Sequence, residues 1–256
     1  MPVVAALLES RAAALALRRS LPRDGPGVVS CRSMAGLRRT LEARLVDAIV
    51  LAPHPSLMEE LARLRSRLPA MPIVGYAPFR ADDGELMAEC ERQALTTLAI
   101  EGVDDAVIGD LVVRCSLTTV RRHALADGPR MLRLVERLQR RAWDLLVRDV
   151  ERPMRTLDLA CQLEVSREHL SRQFGAGGAP NLKRVIDLTR VACAAQLLQN
   201  PGYRITTVVR VLHFASSSHL AGTVRRIANV APSALGGLGP RGVLVAFARG
   251  NTRSRV

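Results

Sequence analysis

Leu157-Asp158-Leu159-Ala160-Cys161-Gln162-Leu163-Glu164-Val165-Ser166-Arg167-Glu168-His169-Leu170-Ser171-Arg172-Gln173-Phe174 and, further along, Ile205-Thr206-Thr207-Val208-Val209-Arg210-Val211-Leu212-His213-Phe214-Ala215-Ser216-Ser217-Ser218-His219-Leu220 are two versions of one pattern. Each is a short apolar helix, a tight turn, a Ser able to cap, and a second helix with polar outward positions. A second helix of that kind fits the DNA major groove. Ser166 and Ser216 sit where a side-chain oxygen can accept from the next helix's free amides. Leu163, Val165, Leu170 and Phe174 are expected to pack the first unit's small core. Between the two units, Leu182 to Gln199 reads as one long helix, apolar through Val185, Leu188, Val191, Ala192, Ala195 and Leu198. Such a helix would hold the units a fixed distance apart.

The charge agrees with a polyanion partner. The chain of 256 residues carries a formal net charge of +13. Residues 1–120 carry −1, residues 121–150 carry +4, and residues 151–256 carry +10. A basic half beside a neutral one suggests a polyanion-binding module joined to something else. Lys183 is the only Lys. Cys31, Cys90, Cys115, Cys161 and Cys193 are scattered without a Cys-x-x-Cys pair, which points to a reducing compartment and to thiols buried as small hydrophobes. Met1 to Leu21 is rich in Ala and Leu, but Glu9 and Arg11 interrupt it and no basic segment precedes it. No apolar run approaches the roughly 20 residues that cross a bilayer. The expectation is a soluble, cytoplasmic protein with no membrane partner.

The N-terminal half alternates strand-like and helical runs. Strands are expected at Val3–Leu8, Gly27–Ser30, Asp47–Ala52, Pro72–Ala77 and Thr96–Ile100. Helices are expected at Ser10–Ser20, Met34–Arg44, from His54-Pro55-Ser56 to Leu68, and at Gly84–Gln93 and Asp105–Cys115. The third and fourth strand runs are continuously apolar, the pattern of strands buried on both faces. Alternation of this kind predicts a doubly wound parallel five-stranded sheet, an α/β domain, followed by an all-α C-terminal domain. The order resembles a response-regulator receiver over about residues 1–118. That resemblance implies an acidic pair, a phosphorylatable Asp, a Ser/Thr and a Lys at the strand ends. Here the first strand runs into Leu7-Leu8-Glu9-Ser10, the third ends in Ala52-Pro53, the fourth in Tyr76-Ala77, and this half has no Lys. The reading is a pseudo-receiver without a phosphoryl acceptor.

Arg130 to Arg148 reads as a long helix with Met131, Val135, Leu138, Ala142 and Leu145 spaced four and three apart. It could form a short coiled-coil seam between two protomers or pack on its own domain. Glu151-Arg152-Pro153 marks a boundary. Four segments result: a receiver-like domain (1–118), a linker helix and candidate dimer seam (119–152), the double helix-turn-helix domain (153–239), and a Gly/Arg-rich tail (240–256). The tail is read as disordered or as a mobile arm on phosphates.

From Thr156 to about Gly239 the chain resembles the DNA-binding domain of the AraC/XylS family of transcription regulators. The resemblance rests on Leu159-Ala160, Ser166 through Leu170, Arg172 to Phe174, and the Gly177-Gly178-Ala179-Pro180 corner. It continues through Arg190, Ala194 or Ala195 and Leu197-Leu198, then His213-Phe214-Ala215-Ser216-Ser217-Ser218 and Pro232-Ser233. It implies a sequence-specific regulator acting on double-stranded DNA, with RNA polymerase and a second copy of the chain as further candidate partners. By resemblance Glu168, Ser171 and Arg172 read bases, with Arg167 beside them. Arg can bind guanine bidentately and Glu can accept from the cytosine amine. The alternative for Glu168 and Arg172 is an i,i+4 surface pair. His169 either contacts a phosphate or packs.

The second unit departs from the pattern. Gly222 stands where the first unit has Arg172, preceded by Ala221. His213 replaces the usual turn Gly, and Leu220 and Val224 replace aromatic core positions. Reading by Ser217 and Ser218 is therefore thin. Ser166, His169, Ser216, Arg225 and Arg226 are the candidate phosphate contacts, Arg225 and Arg226 otherwise forming a solvated basic face. The expectation is asymmetric recognition, in which the first unit specifies and the second anchors, with DNA bent across two grooves. The alternative is a non-specific DNA-binding or protein-interaction module with a decayed helix-turn-helix. No enzyme is expected, since the sequence has no recognisable catalytic constellation and no phosphate loop. Asp82-Asp83 and Asp104-Asp105 read as solvated loop charge and His54 as a turn residue. No cofactor or metal is expected. The short strands of a cupin are missing from residues 1–120.

Overall fold

The computed structural model describes residues 2–151, 154–175 and 178–253. The chain divides into two compact units. The first holds the chain to Val120 together with Asn200–Tyr203, and the second holds Arg121–Gln199 and the chain from Arg204 onward. The expected boundary residues Arg152 and Pro153, and Gly177 of the expected corner, lie outside the described residues.

The first unit is built on five parallel strands: β1 (Val3–Leu7), β2 (Gly27–Ser30), β3 (Val46–Leu51), β4 (Ile73–Ala77) and β5 (Thr97–Ile100). Their order, β2-β1-β3-β4-β5, is the doubly wound order of flavodoxin-like and receiver-type sheets. Each crossover carries a helix: α1 (Arg11–Ser20), α2 (Met34–Ala43), α3 (Met58–Arg67) and α4 (Gly84–Arg92), with α5 (Ile108–Cys115) after β5. All six residues of β3 and all five of β4 are buried, as near-continuous apolar runs require of strands covered on both faces. The one carboxylate among them, Asp47, accepts from Thr118 N at 2.7 Å. Val4, Ala6, Ala48, Val50, Val74 and Tyr76 form one core face with Leu17 of α1 and Ile108 and Val112 of α5. Ala5, Ile49, Leu51 and Ile73 alternate with them, are buried too, and so line the opposite face. Between α1 and α5 the backbones nearly touch. A Cβ on Gly109 would lie 2.3 Å from Ser20, so only Gly fits, and its N–H donates to Ser20 Oγ at 2.9 Å.

At the C-terminal ends of the strands, Ser10 caps α1 and His54 Nδ1 accepts from Ser56 N. Asp105 is not merely solvated charge: it accepts from Tyr76 Oη at 2.5 Å and from Gly102 N at 2.6 Å. Burial first, then this carboxylate, pushes the Tyr76 phenol well above its ordinary pKa. Asp104 accepts from Ile100 N at 2.7 Å. The two Asp side chains thus staple the turn after β5.

After α6 (Leu117–Ala124) the second unit is all helical: α7 (Gly128–Met131), α8 (Arg137–Arg148), α9 (Thr156–Gln162), α10 (Arg167–Gln173), α11 (Leu182–Leu198), α12 (Ile205–Val211), α13 (Ser217–Ala228) and α14 (Leu235–Arg253). The expected helix over Arg130–Arg148 is broken. Arg133 adopts φ +55°, Val135 is 61% exposed, and α8 starts only after Glu136, whose N–H donates to Gln139 Oε1. The buried face of α8 is Gln139, Ala142, Trp143, Leu146 and Val147, with Leu138 and Leu145 half-buried beside it. A left-handed residue in its first heptad ends the seam, and α8 packs within its own unit.

The tail expectation is also corrected. Gly236 to Gly250 is helical rather than disordered, and Val243, Leu244 and Phe247 are buried. The chain turns at Gly239 (φ +60°, ψ 179°) before Pro240. A Cβ on Gly236 would meet Leu198 O at 2.4 Å, so the glycines serve close packing on α11 rather than flexibility. With α14 laid along it, α11 is buried around most of its girth, from Val191 to Leu197 without interruption, instead of along a single face. Among the thiols, Cys161 is exposed and Cys115 half-buried, against the expectation of burial; the other three are buried. Cys161 lies on the solvent side of α9. No single helix among the described residues is long and apolar enough to cross a membrane.

Candidate nucleic-acid interface

The two helix-turn-helix units share one backbone solution. In the first, Leu163 ends α9 and Glu164 turns left-handed at φ +58°. Its N–H donates to Cys161 O, and Val165 N donates to Ala160 O, both at 3.1 Å. In the second, Leu212 ends α12 and His213 turns left-handed at φ +53°. His213 N donates to Arg210 O at 3.2 Å and Phe214 N to Val209 O at 2.9 Å. This paired 5→2 and 6→1 bonding is a Schellman stop, made twice without glycine.

A Ser then starts each second helix. Ser166 Oγ accepts from His169 N at 3.1 Å and Ser216 Oγ from His219 N at 3.0 Å. These hydroxyls are already engaged as helix caps. The turns differ by one residue, since four residues separate α9 from α10 and five separate α12 from α13, Ala215 being the addition.

Inward positions close a small core in each unit. Leu163, Leu170 and Phe174 are buried in the first, with Val165 half-buried. Val208, Val211, Leu212, Phe214, Leu220, Val224 and Ile227 are buried in the second. Outward, Arg167, Glu168, His169, Ser171 and Arg172 are all exposed. Glu168 pairs with Arg167 at 3.4 Å rather than forming the i,i+4 pair with Arg172. The guanidinium of Arg172 lies on the open face one turn on.

The second unit presents Ser217, Ser218, His219, Gly222 and Arg225 to solvent. A side chain added at Gly222 would meet nothing within 4 Å, so the gap in this face is chemical and not steric. Arg226 stands apart from Arg225, because its guanidinium is held by Asp187 of α11 at 2.8 Å.

Sequence reasoning missed the brace on the second turn. Arg190, from the middle of α11, donates from one terminal nitrogen to Leu212 O at 2.9 Å and to His213 O at 3.3 Å. Its guanidinium carbon lies 4.0 Å from the Phe214 ring centroid, and that ring meets His219 edge-on at 5.8 Å. Burial lowers the Arg190 pKa, with Asp187 and Cys193 opposing. The cation satisfies carbonyls that the end of α12 leaves free. Arg190 was visible in the sequence as a position of the joining-helix pattern but not as a brace, because its partners lie more than twenty residues away. At the first unit's far end, Gln139 of α8 plays a comparable part, donating to Gln173 O at 2.7 Å.

No protein-family model matches the chain, and no curated protein sequence matches it. Among solved structures, full-length FixJ from B. japonicum matches over 88% of this chain and 96% of that one. The two are 14% identical, with a TM-score of 0.37.

Proposed function

We propose that this protein is a DNA-binding transcription regulator of the AraC/XylS type, in which α10 reads bases and α13 mainly anchors on the backbone. The observation that carries the reading is the repeated device of the second unit: left-handed turn, Ser cap, and a second helix with a wholly exposed polar face, made twice around one buried helix. A rigid module with two such helices would address successive major grooves about one helical turn apart. Arg172 is the principal base reader in this reading, as a forked donor able to take guanine bidentately. Ser171 and Glu168 flank it, and Arg225 contacts phosphate. The basic balance of residues 151–256 supplies the non-specific attraction. The N-terminal unit is a receiver-like domain that works without phosphorylation, since its strand ends offer Ala52-Pro53 and Tyr76-Ala77 rather than an acceptor Asp.

The deciding experiment is sequencing of genomic fragments retained by the full-length protein at near-physiological salt. A site with strong information in one half and weak information in the other is the expected result. Fragments with no shared motif, held with steep salt dependence, would replace the regulator with a non-specific binder. That second reading draws on Gly222, which removes a side chain from the middle of the second face.

A further inference from the structure

We propose that a groove on the N-terminal unit binds a phosphorylated small molecule of nucleotide size. The groove lies at the N-terminal ends of β1 and β2, opposite the strand ends where doubly wound sheets usually hold ligands. Arg18 and Arg19 come from the last turn of α1, Arg23 from the loop before β2, and Arg44 from the C-terminal cap of α2. Its volume is about 570 Å³, inside the range of about 300–1,000 Å³ typical of small-molecule sites.

Three observations point to an anion. First, no carboxylate lines the groove among the described residues, although residues 1–120 carry a net charge of −1. Second, carboxylates elsewhere in this unit are taken by other arginines: Glu60 by Arg38 at 2.8 Å, Glu59 by Arg63, and Glu89 by Arg92 at 2.6 Å. Third, Arg18 donates only to the neutral Ser30 hydroxyl at 3.0 Å, and no groove arginine has an ion pair among the described residues. Cations at the last turn of a helix do offset its dipole. That accounts for Arg18 and Arg19 and, at the C-terminal cap of α2, for Arg44, but not for Arg23, which lies on the loop beyond α1.

The shape of the charge selects the ligand. Four guanidinium forks suit two phosphate groups, each taken bidentately, whereas one carboxylate would leave most of the charge uncompensated. Leu21, Pro22, Pro26 and Val28 make the rest of the wall apolar. A nucleoside di- or triphosphate, with phosphates on the arginines and its base on that wall, fits both parts.

The test is calorimetric titration of the full-length protein with ATP, with pyrophosphate and with adenosine at constant ionic strength. Saturable binding of ATP and pyrophosphate, with adenosine inert, is expected. The double change Arg19→Ser with Arg23→Ser should weaken ATP about tenfold or more, and Arg44→Ser alone should weaken it in the same direction. All four arginines are exposed, so unchanged melting of these variants separates lost binding from lost folding. Absence of saturable binding by either phosphate compound overturns the proposal. So does binding that survives the groove changes and is lost instead on Arg172→Ala with Arg225→Ala, which would place the anion on the DNA face.

Discussion

The two helix-turn-helix units are built alike and equipped differently. Each stops its first helix on a left-handed non-glycine residue, Glu164 or His213, and starts its second on a Ser whose hydroxyl takes the amide of a His. The faces those scaffolds present diverge. Arg167, Glu168, Ser171 and Arg172 on α10 face Ser217, Ser218, Ala221 and Gly222 on α13. Compensation runs the other way in packing. The second unit has the Arg190–Phe214 brace and the Arg226–Asp187 pair to α11, and α13 spans twelve residues against seven for α10. Scaffold and surface chemistry are therefore separable properties of one motif. The unit whose second helix presents the poorer polar face is the one tied more firmly to the central helix.

The strongest way to break that contrast is to cut the brace. Arg190→Met keeps much of the packing but removes a charged donor from two carbonyls and a cation from an aromatic face. Hydrogen bonds to charged groups are worth about 1.5–3 kcal/mol, and a partly desolvated cation–π contact about 0.5–2 kcal/mol. A loss of about 2–4 kcal/mol is expected, followed in urea by Trp143 of α8, the only Trp and a buried residue of the same compact unit. Arg190→Lys should restore only part, because a point charge cannot span two carbonyls and stack. An unchanged midpoint for Arg190→Met would mean the second turn holds itself.

On the reading faces the effect should be confined to the first unit. Arg172→Ala is expected to cost about 1–3 kcal/mol at one base position and to relax the preference there, as read by selection from a randomised duplex. Gly222 gives the reciprocal experiment. Gly222→Ala should stabilise by up to about 1 kcal/mol, the helix-propensity difference, since the added methyl meets nothing. Gly222→Arg should add one cation to the face proposed to meet DNA and steepen the salt dependence by about one counterion. Weakened DNA binding by Gly222→Ala with its stability kept would show that α13 needs its glycine for close approach to the duplex.

Much of this was legible in the residues, for identifiable reasons. The strands of the N-terminal unit announce themselves because β3 and β4 are buried on both sides, so their residues are nearly all apolar, with Asp47 of β3 taken by Thr118. The caps were legible because a Ser before an amphipathic helix has few other uses. The break before α8 was hidden, since Arg133 takes a left-handed turn that composition assigns to Gly or Asn. The last helix was hidden by the opposite error. Gly236, Gly239 and Gly242 suggest a loose arm, yet Val243, Leu244 and Phe247 still hold helical spacing on a buried face. The four groove arginines could not be read at all, because each is one basic residue among many until the fold brings them together. Arg190 was legible as a position of the joining-helix pattern but not as the brace on the second turn.

The finest comparison lies in the two turns themselves. Glu164 and His213 each hold a left-handed backbone that costs an L-residue roughly 1–2 kcal/mol, and both side chains are exposed. Gly would remove that cost but would give the unfolded chain more freedom, a penalty of about 0.5–1 kcal/mol. The difference favours Glu164→Gly and His213→Gly by about 0.5 kcal/mol each, and the sign is set by the backbone term alone. Equal gains in urea midpoint would establish that the two turns are the same device. A smaller gain, or a loss, at position 213 would mean that the brace makes the second turn different. Arg190 bonds the carbonyl of residue 213 itself, so a more mobile residue there would loosen the carbonyl that the guanidinium holds.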